Sequence, residues 1–273
     1  MTQVEKGRRF RALHERNEAF IIPNPWDAGT ARLLAHLGFE ALATTSAGYA
    51  FSVGKRDGTI GRDETLKHVA AISSATDLPV SADLENGFGD APGIVAETIK
   101  LAAHAGAAGG SIEDAFRSGE ENKLYELDRA SERVRAAAEA ASSLPFPFTL
   151  TARAENYLVG KPDLKDTIKR LQAYQDAGAD VLYAPGLTSK DDITAVVRSL
   201  DRPVNILMGL QGVQLPLPAL SAIGVKRVSV GSALSRAALG AFLRAAQEMR
   251  QNGTFAFAEQ AVSYRDISAM FPD

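Results

Sequence analysis

The 273-residue sequence contains no cysteine, a single tryptophan and no long apolar run. Without cysteine, disulfides, thiolate metal sites and cysteine nucleophiles are excluded, so any chemistry must use oxygen and nitrogen atoms. No segment approaches the ~20 apolar residues that a membrane-spanning helix needs, and the first 20 residues lack the apolar centre of a secretory signal. We therefore expect a cytoplasmic protein.

The sequence also has no strong excess of charge. Its 30 lysine and arginine residues and 33 aspartate and glutamate residues leave a formal net charge of −3. Without a basic run, neither nucleic acid nor an anionic membrane is an expected partner. Hydrophobic residues make up 45% of the chain, so we expect a folded protein and not a disordered one.

Short runs rich in Val, Ile and Leu alternate with Ala-rich runs of helical period, which is typical of repeated βα units. Eight of the short runs are predicted strands: 19–23, 41–46, 80–85, 109–114, 148–153, 180–183, 204–208 and 227–231. They lie about 30 residues apart, which predicts a (β/α)8 TIM barrel in one domain over residues 1–273. A doubly wound dinucleotide-binding fold is the alternative, but no glycine fingerprint follows the first run.

The residues before these runs support the repeat, because four runs follow a glycine and three follow a proline. The glycines are Gly38, Gly106, Gly178 and Gly224, and the prolines are Pro79, Pro147 and Pro203. Glycine suits a helix end because it adopts the left-handed conformation without a Cβ penalty. The glycines are therefore predicted to end helices.

Acidic side chains close two neighbouring runs. Asp83 and Glu85 end the third run on one face, because strand side chains alternate, and Glu113 lies at the end of the fourth. The C-terminal strand ends form the active-site face of such barrels. Three converging carboxylates repel one another unless a cation such as Mg²⁺ or Mn²⁺ relieves them, so we predict a metal site. The alternative is that these three acids cap helices or pair with arginine and hold no metal.

Two other strand ends carry groups that suit an anion. Arg153 is predicted to point inward at the end of the fifth run, where its planar fork suits a substrate carboxylate, phosphonate or enolate oxygen. A structural salt bridge is its alternative role. The second run ends in the small residues Thr45, Ser46 and Ala47, whose backbone N–H groups could bind an anion.

Histidine and lysine are absent from the predicted strand ends. The four histidines, His14, His36, His68 and His104, fall in helical stretches and are expected to be surface or packing residues. The lack of a strand-end lysine argues against a Schiff-base aldolase. Two long loops on the same face, 47–62 and 115–128, are candidate lids, and the second carries Lys123.

The motifs at these positions resemble those of the phosphoenolpyruvate mutase/isocitrate lyase superfamily along nearly the whole chain. They are Lys55-Arg56-Asp57, Asp83-Leu84-Glu85-Asn86-Gly87-Phe88-Gly89, Ile112-Glu113-Asp114, Ala152-Arg153-Ala154-Glu155 and Ala177-Gly178-Ala179-Asp180. The resemblance implies an Mg²⁺- or Mn²⁺-dependent lyase, mutase or hydrolase. Such an enzyme breaks a C–C or P–C bond of a small 2-oxo or 2-hydroxy carboxylic acid through an enolate.

The resemblance also implies roles for individual residues. The three acids would hold the metal directly or through water, Arg153 would grip substrate oxygens, and the second strand end would offer backbone N–H groups. Asp57 would lie over the metal as a base or nucleophile. We further expect Glu155 and Asn205 to bind the substrate and Lys123 to take part in catalysis.

The sequence departs from both well-known branches of that superfamily. The lyase branch has a cysteine base after the fourth strand, and the mutase branch has a histidine after the sixth, where this chain reads Tyr183-Ala184-Pro185-Gly186. Cleavage of isocitrate or 2-methylisocitrate is therefore disfavoured, and Asp57 favours a phosphonopyruvate- or oxaloacetate-like substrate. Two alternatives remain: an inactive barrel that binds metal and carboxylate, and an enzyme that binds phosphate at Gly231-Ser232.

A helical tail is predicted beyond the eighth unit, over residues 254–273. Its apolar side chains are Phe255, Phe257, Val262, Tyr264, Ile267 and Phe271. These side chains need a surface to cover, either on their own barrel or on another subunit. Because the resemblance implies a dimer or tetramer with an exchanged C-terminal helix, we expect the tail to pack on a partner in a homo-oligomer.

Overall fold

The computed structural model describes residues 1–118, 121–210 and 214–271 of the chain. The strands are β1 (Phe20–Ile22), β2 (Leu42–Ala43), β3 (Val80–Asp83), β4 (Gly109–Glu113), β5 (Ala115–Ser118), β6 (Glu121–Leu124), β7 (Thr149–Arg153), β8 (Val181–Tyr183), β9 (Val204–Leu207) and β10 (Arg227–Ser229). The helices are α1 (Gln3–Glu15), α2 (Ala28–His36), α3 (Ser46–Ser52), α4 (Arg62–Ala75), α5 (Pro92–His104), α6 (Leu127–Ser142), α7 (Leu164–Asp176), α8 (Lys190–Arg198), α9 (Leu217–Ala222), α10 (Ala233–Asn252) and α11 (Tyr264–Ala269), with a short 3₁₀ helix at Ala256–Gln260.

Eight of these strands form one parallel sheet that curves into a barrel. Their order is β1-β10-β9-β8-β7-β4-β3-β2, and every hydrogen-bonded pair is parallel. The Ala43 amide donates to the Pro23 carbonyl at 3.0 Å, which brings the two ends of the sheet together. The predicted (β/α)8 barrel is confirmed, and each predicted run contains one of its strands.

The glycines predicted at helix ends have the expected backbone conformation. Gly38, Gly106, Gly178 and Gly224 have φ values of 85°, 97°, 103° and 93°. Only glycine adopts such angles readily, so these positions end each helix and direct the chain into the next strand. The repeat is therefore encoded locally, at its turns.

Helix α1 closes the N-terminal end of the barrel, a role that the sequence analysis did not assign. Phe10 and Leu13 are fully buried and pack in one cluster with Phe20 and Ile22 of β1. A Cβ on Gly7 would lie 2.3 Å from the carbonyl oxygen of residue 147, so only glycine permits this close approach. With this end filled, ligands must enter from the C-terminal ends of the strands.

Both predicted lid loops contain regular structure, which corrects the sequence analysis. The first begins with helix α3, whose N-cap is Thr45. The second contains the antiparallel hairpin of β5 and β6, in which Ala115 pairs with Leu124. Short elements of this kind were missed because neither segment shows a long period of apolar residues.

Helix α10 and the C-terminal tail leave apolar side chains in solvent. Phe242 on α10 is 67% exposed and Tyr264 on α11 is 88% exposed, and Leu243, Phe255 and Val262 are exposed as well. Gly253 ends α10 with a φ of 62°, which turns the chain toward α11. Although α10 has 20 residues, neither it nor any other described helix is long and apolar enough to cross a membrane.

If the tail packs on a partner subunit, deletion of all residues after Gly253 is expected to reduce the mass of the homo-oligomer and promote aggregation. Each large apolar side chain that packs on a partner stabilises the assembly by ~1.5–3 kcal/mol, and the truncation removes several of them. Multi-angle light scattering measures the mass, with removal of residues 272–273 alone as the control. An unchanged mass and solubility after the long truncation would show that the tail is not an interface.

Candidate active site

A cavity of about 660 Å³ lies at the C-terminal ends of the barrel strands. Ten of the residues predicted for the site line it: Thr45, Ser46, Ala47, Asp57, Asp83, Glu85, Glu113, Arg153, Glu155 and Asn205. The barrel thus brings together residues from six separate segments of the chain. Their proximity is observed, whereas their chemical roles remain predictions.

The three predicted metal ligands lie on adjacent strands and the loop between them. Asp83 is the last residue of β3, and Glu113 is the last residue of β4. Glu85 follows with a left-handed backbone of φ 49°, an uncommon conformation for a residue with a side chain. Gly87, with φ 78°, packs against Val95 of α5, which holds this turn close to the barrel.

Arg153 is at the centre of the acidic residues. Its guanidinium pairs with Asp83 at 3.2 Å, Glu113 at 3.2 Å and Glu155 at 2.8 Å, and it is largely buried. The face of Tyr183 lies against it, 5.1 Å from ring centroid to guanidinium carbon. Both the predicted inward orientation and the alternative salt-bridge role are therefore realised in this structure.

The site holds more negative than positive charge. Burial, together with the charges of Asp83 and Asp57, raises the pKa of Glu85 to about 8. Burial also raises the pKa of Glu113 well above its ordinary value, even beside Arg153. The guanidinium of Arg153 does not by itself neutralise the carboxylates around it, so these carboxyl groups tend to keep protons unless a cation lies beside them.

These residues fit a hard divalent cation. The donors are all oxygen atoms, and Oε1 of Glu85 is buried without a hydrogen-bond partner. Within residues 1–118, 121–210 and 214–271, no three Asp, Glu or His side chains already surround one point, because Asp83 and Glu113 close on Arg153 instead. A cation would compete with the guanidinium for these two carboxylates.

The second strand end and the first loop form another wall of the cavity. The Ser46 amide donates to Oδ2 of Asp83 at 3.1 Å, and the Thr45 hydroxyl accepts from the Gly48 amide at 3.2 Å. These two groups therefore organise the wall through contacts within the protein. Asp57 lines the cavity from the loop, and burial of its carboxyl group, followed by the charge of Asp83, raises its pKa.

Glu155 is held in place by a buried hydrogen-bond network that reaches helix α7. Its side chain pairs with Arg153, and its backbone amide donates to Oδ1 of Asp114 at 2.8 Å. Oδ2 of Asp114 in turn accepts from Tyr174 at 2.5 Å and from Arg170 at 3.1 Å. Asp114 belongs to a resemblance motif, but its supporting role emerges only from the tertiary contacts.

Lys123 does not line the cavity in this structure. It lies on β6, its side chain is 50% exposed, and its ammonium group is 3.7 Å from Glu121. Asn122 and Phe116 of the same hairpin line the cavity instead. The structure therefore does not bring Lys123 to the other site residues, because the hairpin directs it toward solvent and an acidic neighbour.

The possible phosphate site at the start of α10 is occupied by contacts within the protein. Oδ1 of Asn24 accepts from the amides of Val230 and Gly231 at 3.0 and 2.9 Å. Nδ2 of Asn24 donates to the Thr44 carbonyl at 3.0 Å. Asn24 therefore connects the first, second and last barrel strands and uses the Gly231 N–H group, one of those that a phosphate at Gly231-Ser232 would need.

Comparison with known proteins places the chain in a family. The model of the family described as phosphoenolpyruvate phosphomutase matches residues 10–250. An oxaloacetate decarboxylase from Chromohalobacter salexigens is 29% identical over 247 residues, which cover 88% of this chain and 84% of that protein. A 2-methylisocitrate lyase from Salmonella typhimurium is 33% identical over 195 residues, covering 69% of this chain and 65% of that protein.

Solved structures agree with this placement. A crystal structure from Burkholderia cenocepacia J2315, provisionally described as a lyase/mutase, is 66% identical with a TM-score of 0.95, covering 98% of this chain and 95% of that chain. Phosphonopyruvate hydrolase, crystallised with oxalate and Mg²⁺, shares the fold with a TM-score of 0.86 at 24% identity, covering 99% and 95% of the two chains. The chain therefore belongs to the phosphoenolpyruvate mutase/isocitrate lyase superfamily, which contains lyases, mutases and hydrolases.

Proposed function

We propose that this protein is an Mg²⁺-dependent enzyme, with Mn²⁺ as the alternative metal, that cleaves a C–C or P–C bond of a small 2-oxo or 2-hydroxy carboxylic acid. The observation that carries this proposal is the grouping of Asp57, Asp83, Glu85 and Glu113 around Arg153 in one cavity. Such a site can bind a cation and the carboxylate end of a substrate. The cation and the guanidinium of Arg153 are the positive groups that can stabilise an enolate oxygen.

Asp83, Glu85 and Glu113 would hold the cation, directly or through water. Bound Mg²⁺ supplies a Lewis acid that offsets the charge that develops on an enolate oxygen. Arg153 orients the substrate by donating N–H groups to its carboxylate oxygens, as the planar fork permits. The hydrogen bonds of Asp114 to Glu155 and Tyr174 keep the Arg153 guanidinium in place. The arginine side chain therefore loses less conformational freedom when the substrate binds.

Asp57 is the group that acts on the reacting bond. Its carboxylate lines the cavity from the loop between α3 and α4. Because its pKa is raised, the carboxyl group of Asp57 holds a proton more readily than an aspartate with an ordinary pKa does. It serves either as the base that exchanges a proton with the substrate or as the nucleophile toward a phosphonate phosphorus.

An oxaloacetate- or phosphonopyruvate-like substrate is the best supported class. The oxaloacetate decarboxylase relative supports the first, and the presence of Asp57 supports both. The absence of cysteine in the whole chain argues against 2-methylisocitrate, although a lyase for that substrate is also a relative. We further propose a cytoplasmic homo-oligomer, a location and state compatible with the lack of cysteine and the exposed apolar tail.

A substrate screen with added Mg²⁺ or Mn²⁺ tests this function. Oxaloacetate and phosphonopyruvate are offered separately, and pyruvate, phosphoenolpyruvate and oxalate are measured as products. Turnover of either compound supports the proposal. Tight metal and carboxylate binding without turnover of any 2-oxo or 2-hydroxy acid would favour the inactive barrel instead.

Cleavage of isocitrate and 2-methylisocitrate is expected to be roughly 100-fold slower or more, relative to the preferred substrate, because a correctly placed base contributes about that factor. Activity should also survive thiol-alkylating reagents, since no cysteine is present. Coupled detection of glyoxylate or pyruvate measures the cleavage. Efficient turnover of either acid would show that another group replaces the thiol base.

A further inference from the structure

A buried arginine at the base of the cavity is not used by the chemistry described above. Arg227 is only 4% exposed, yet it lines the cavity with Asn205 and Ser229. It is the first residue of β10, whereas Ser229 is the last, so it lies deeper in the barrel than the strand ends. Ser81 and Ser111, which have small polar side chains, line the same cavity from β3 and β4.

Each hydrogen-bond partner of Arg227 is neutral. Its Nε donates to Oδ1 of Asn205 at 2.9 Å, its Nη2 donates to Oγ1 of Thr151 at 3.0 Å, and its Nη1 faces Nε2 of His14 at 3.5 Å. Nδ1 of His14 lies 2.8 Å from the Phe10 carbonyl, so Nδ1 carries the ring proton and Nε2 is the acceptor. Burial and the charge of Arg227 lower the pKa of His14 to about 3, which keeps the ring neutral.

The positive charge of Arg227 is therefore uncompensated. Burial lowers its pKa to about 10, which still leaves it protonated at neutral pH. In the described part of the chain no carboxylate pairs with it, and the nearby acids Asp83 and Glu113 pair with Arg153. A buried charge without a counter-ion is costly, and a guanidinium has five N–H groups, so two remain for a ligand.

We propose that Arg227 binds the second carboxylate of a dicarboxylic acid substrate, whose 2-oxo or 2-hydroxy acid end lies at Arg153. This inference rests on the proposed function and narrows its substrate class. Thr151, the partner of Arg227, precedes Arg153 by two residues on β7, so both side chains lie on the same face of the strand and Arg227 lies deeper in the cavity than Arg153. A diacid can pair with both arginines, whereas a monoacid can pair with only one of them.

Calorimetric titration with L-malate and L-lactate in the presence of Mg²⁺ tests this subsite. The two acids differ only in the carboxyl group on the third carbon. The wild-type protein is expected to bind malate about 10- to 100-fold more tightly than lactate, because one charge-assisted hydrogen-bonded pair contributes about that factor to affinity. Arg227→Met should remove this preference and leave lactate affinity unchanged, while Arg227→Lys keeps part of it. Arg202→Met, at an exposed position, is the control.

Three outcomes would overturn the subsite. The first is equal affinity of the wild-type protein for both acids, and the second is an intact preference for malate in Arg227→Met. The third is an equal loss of affinity for malate and lactate in that variant. If Arg227→Met does not fold, the wild-type comparison and the Arg227→Lys variant decide. A malate preference without turnover of any 2-oxo acid would contradict the proposed function alone, whereas turnover without the preference would contradict only the subsite.

Discussion

Removal of divalent cations with EDTA is expected to lower turnover of the substrate by roughly 1000-fold, because a Lewis acid at an enolate oxygen contributes several kcal/mol. Without a cation, the carboxylates around Arg153 also repel an anionic substrate. Turnover is measured after chelation and desalting, and again after addition of Mg²⁺ or Mn²⁺. Restoration by either metal is the expected result, and full activity after exhaustive chelation would contradict the metal site.

Substitutions separate the metal ligands from other acids. Glu85→Gln and Asp83→Asn preserve the shapes of the side chains but remove charge, so both should weaken Mg²⁺ binding in a calorimetric titration. Glu85 is the cleaner test because its Oε1 has no hydrogen-bond partner to lose. Asp128→Asn, at an exposed site in the first turn of α6, should bind the metal like the wild-type protein.

The barrel and most of its site could be predicted because their signals are local. Gly38, Gly106, Gly178 and Gly224 mark the repeat, since their backbone angles are required wherever they occur. The acids and Arg153 follow from the rule that strand ends meet on one face. A position at the end of a predicted strand is therefore enough to bring distant residues together.

The features that could not be predicted depend on contacts across the barrel. Asn24 precedes a helix in the sequence, but its side chain accepts hydrogen bonds from the amides of Val230 and Gly231, more than 200 residues away. Arg227 begins a strand and carries no motif, so only the folded structure shows that it lines the cavity. The position of Lys123 in a loop over the site predicts a catalytic role. The pairing of β5 with β6 instead directs its side chain toward solvent and Glu121.

Asp57→Asn is expected to lower kcat by about 100- to 10,000-fold, the range that a positioned acid, base or nucleophile contributes. The amide keeps an oxygen that can accept from the Gly58 amide, as Oδ1 of Asp57 does at 3.1 Å, so the loop should retain its conformation. What the variant loses is a carboxyl oxygen that exchanges a proton or attacks. Steady-state kinetics on the substrate measures the effect.

The same variant distinguishes catalysis from metal binding. Asp57 reaches the cavity from a loop, whereas the proposed ligands lie on or beside β3 and β4, so its loss should change Mg²⁺ affinity and melting temperature little. Asp63→Asn, an exposed acid at the start of α4, should change none of these quantities. A near-normal kcat would remove Asp57 from the mechanism. A fall in metal affinity as large as the fall in kcat would instead make Asp57 a fourth ligand, because its carboxylate would then be acting on the cation and not on the substrate.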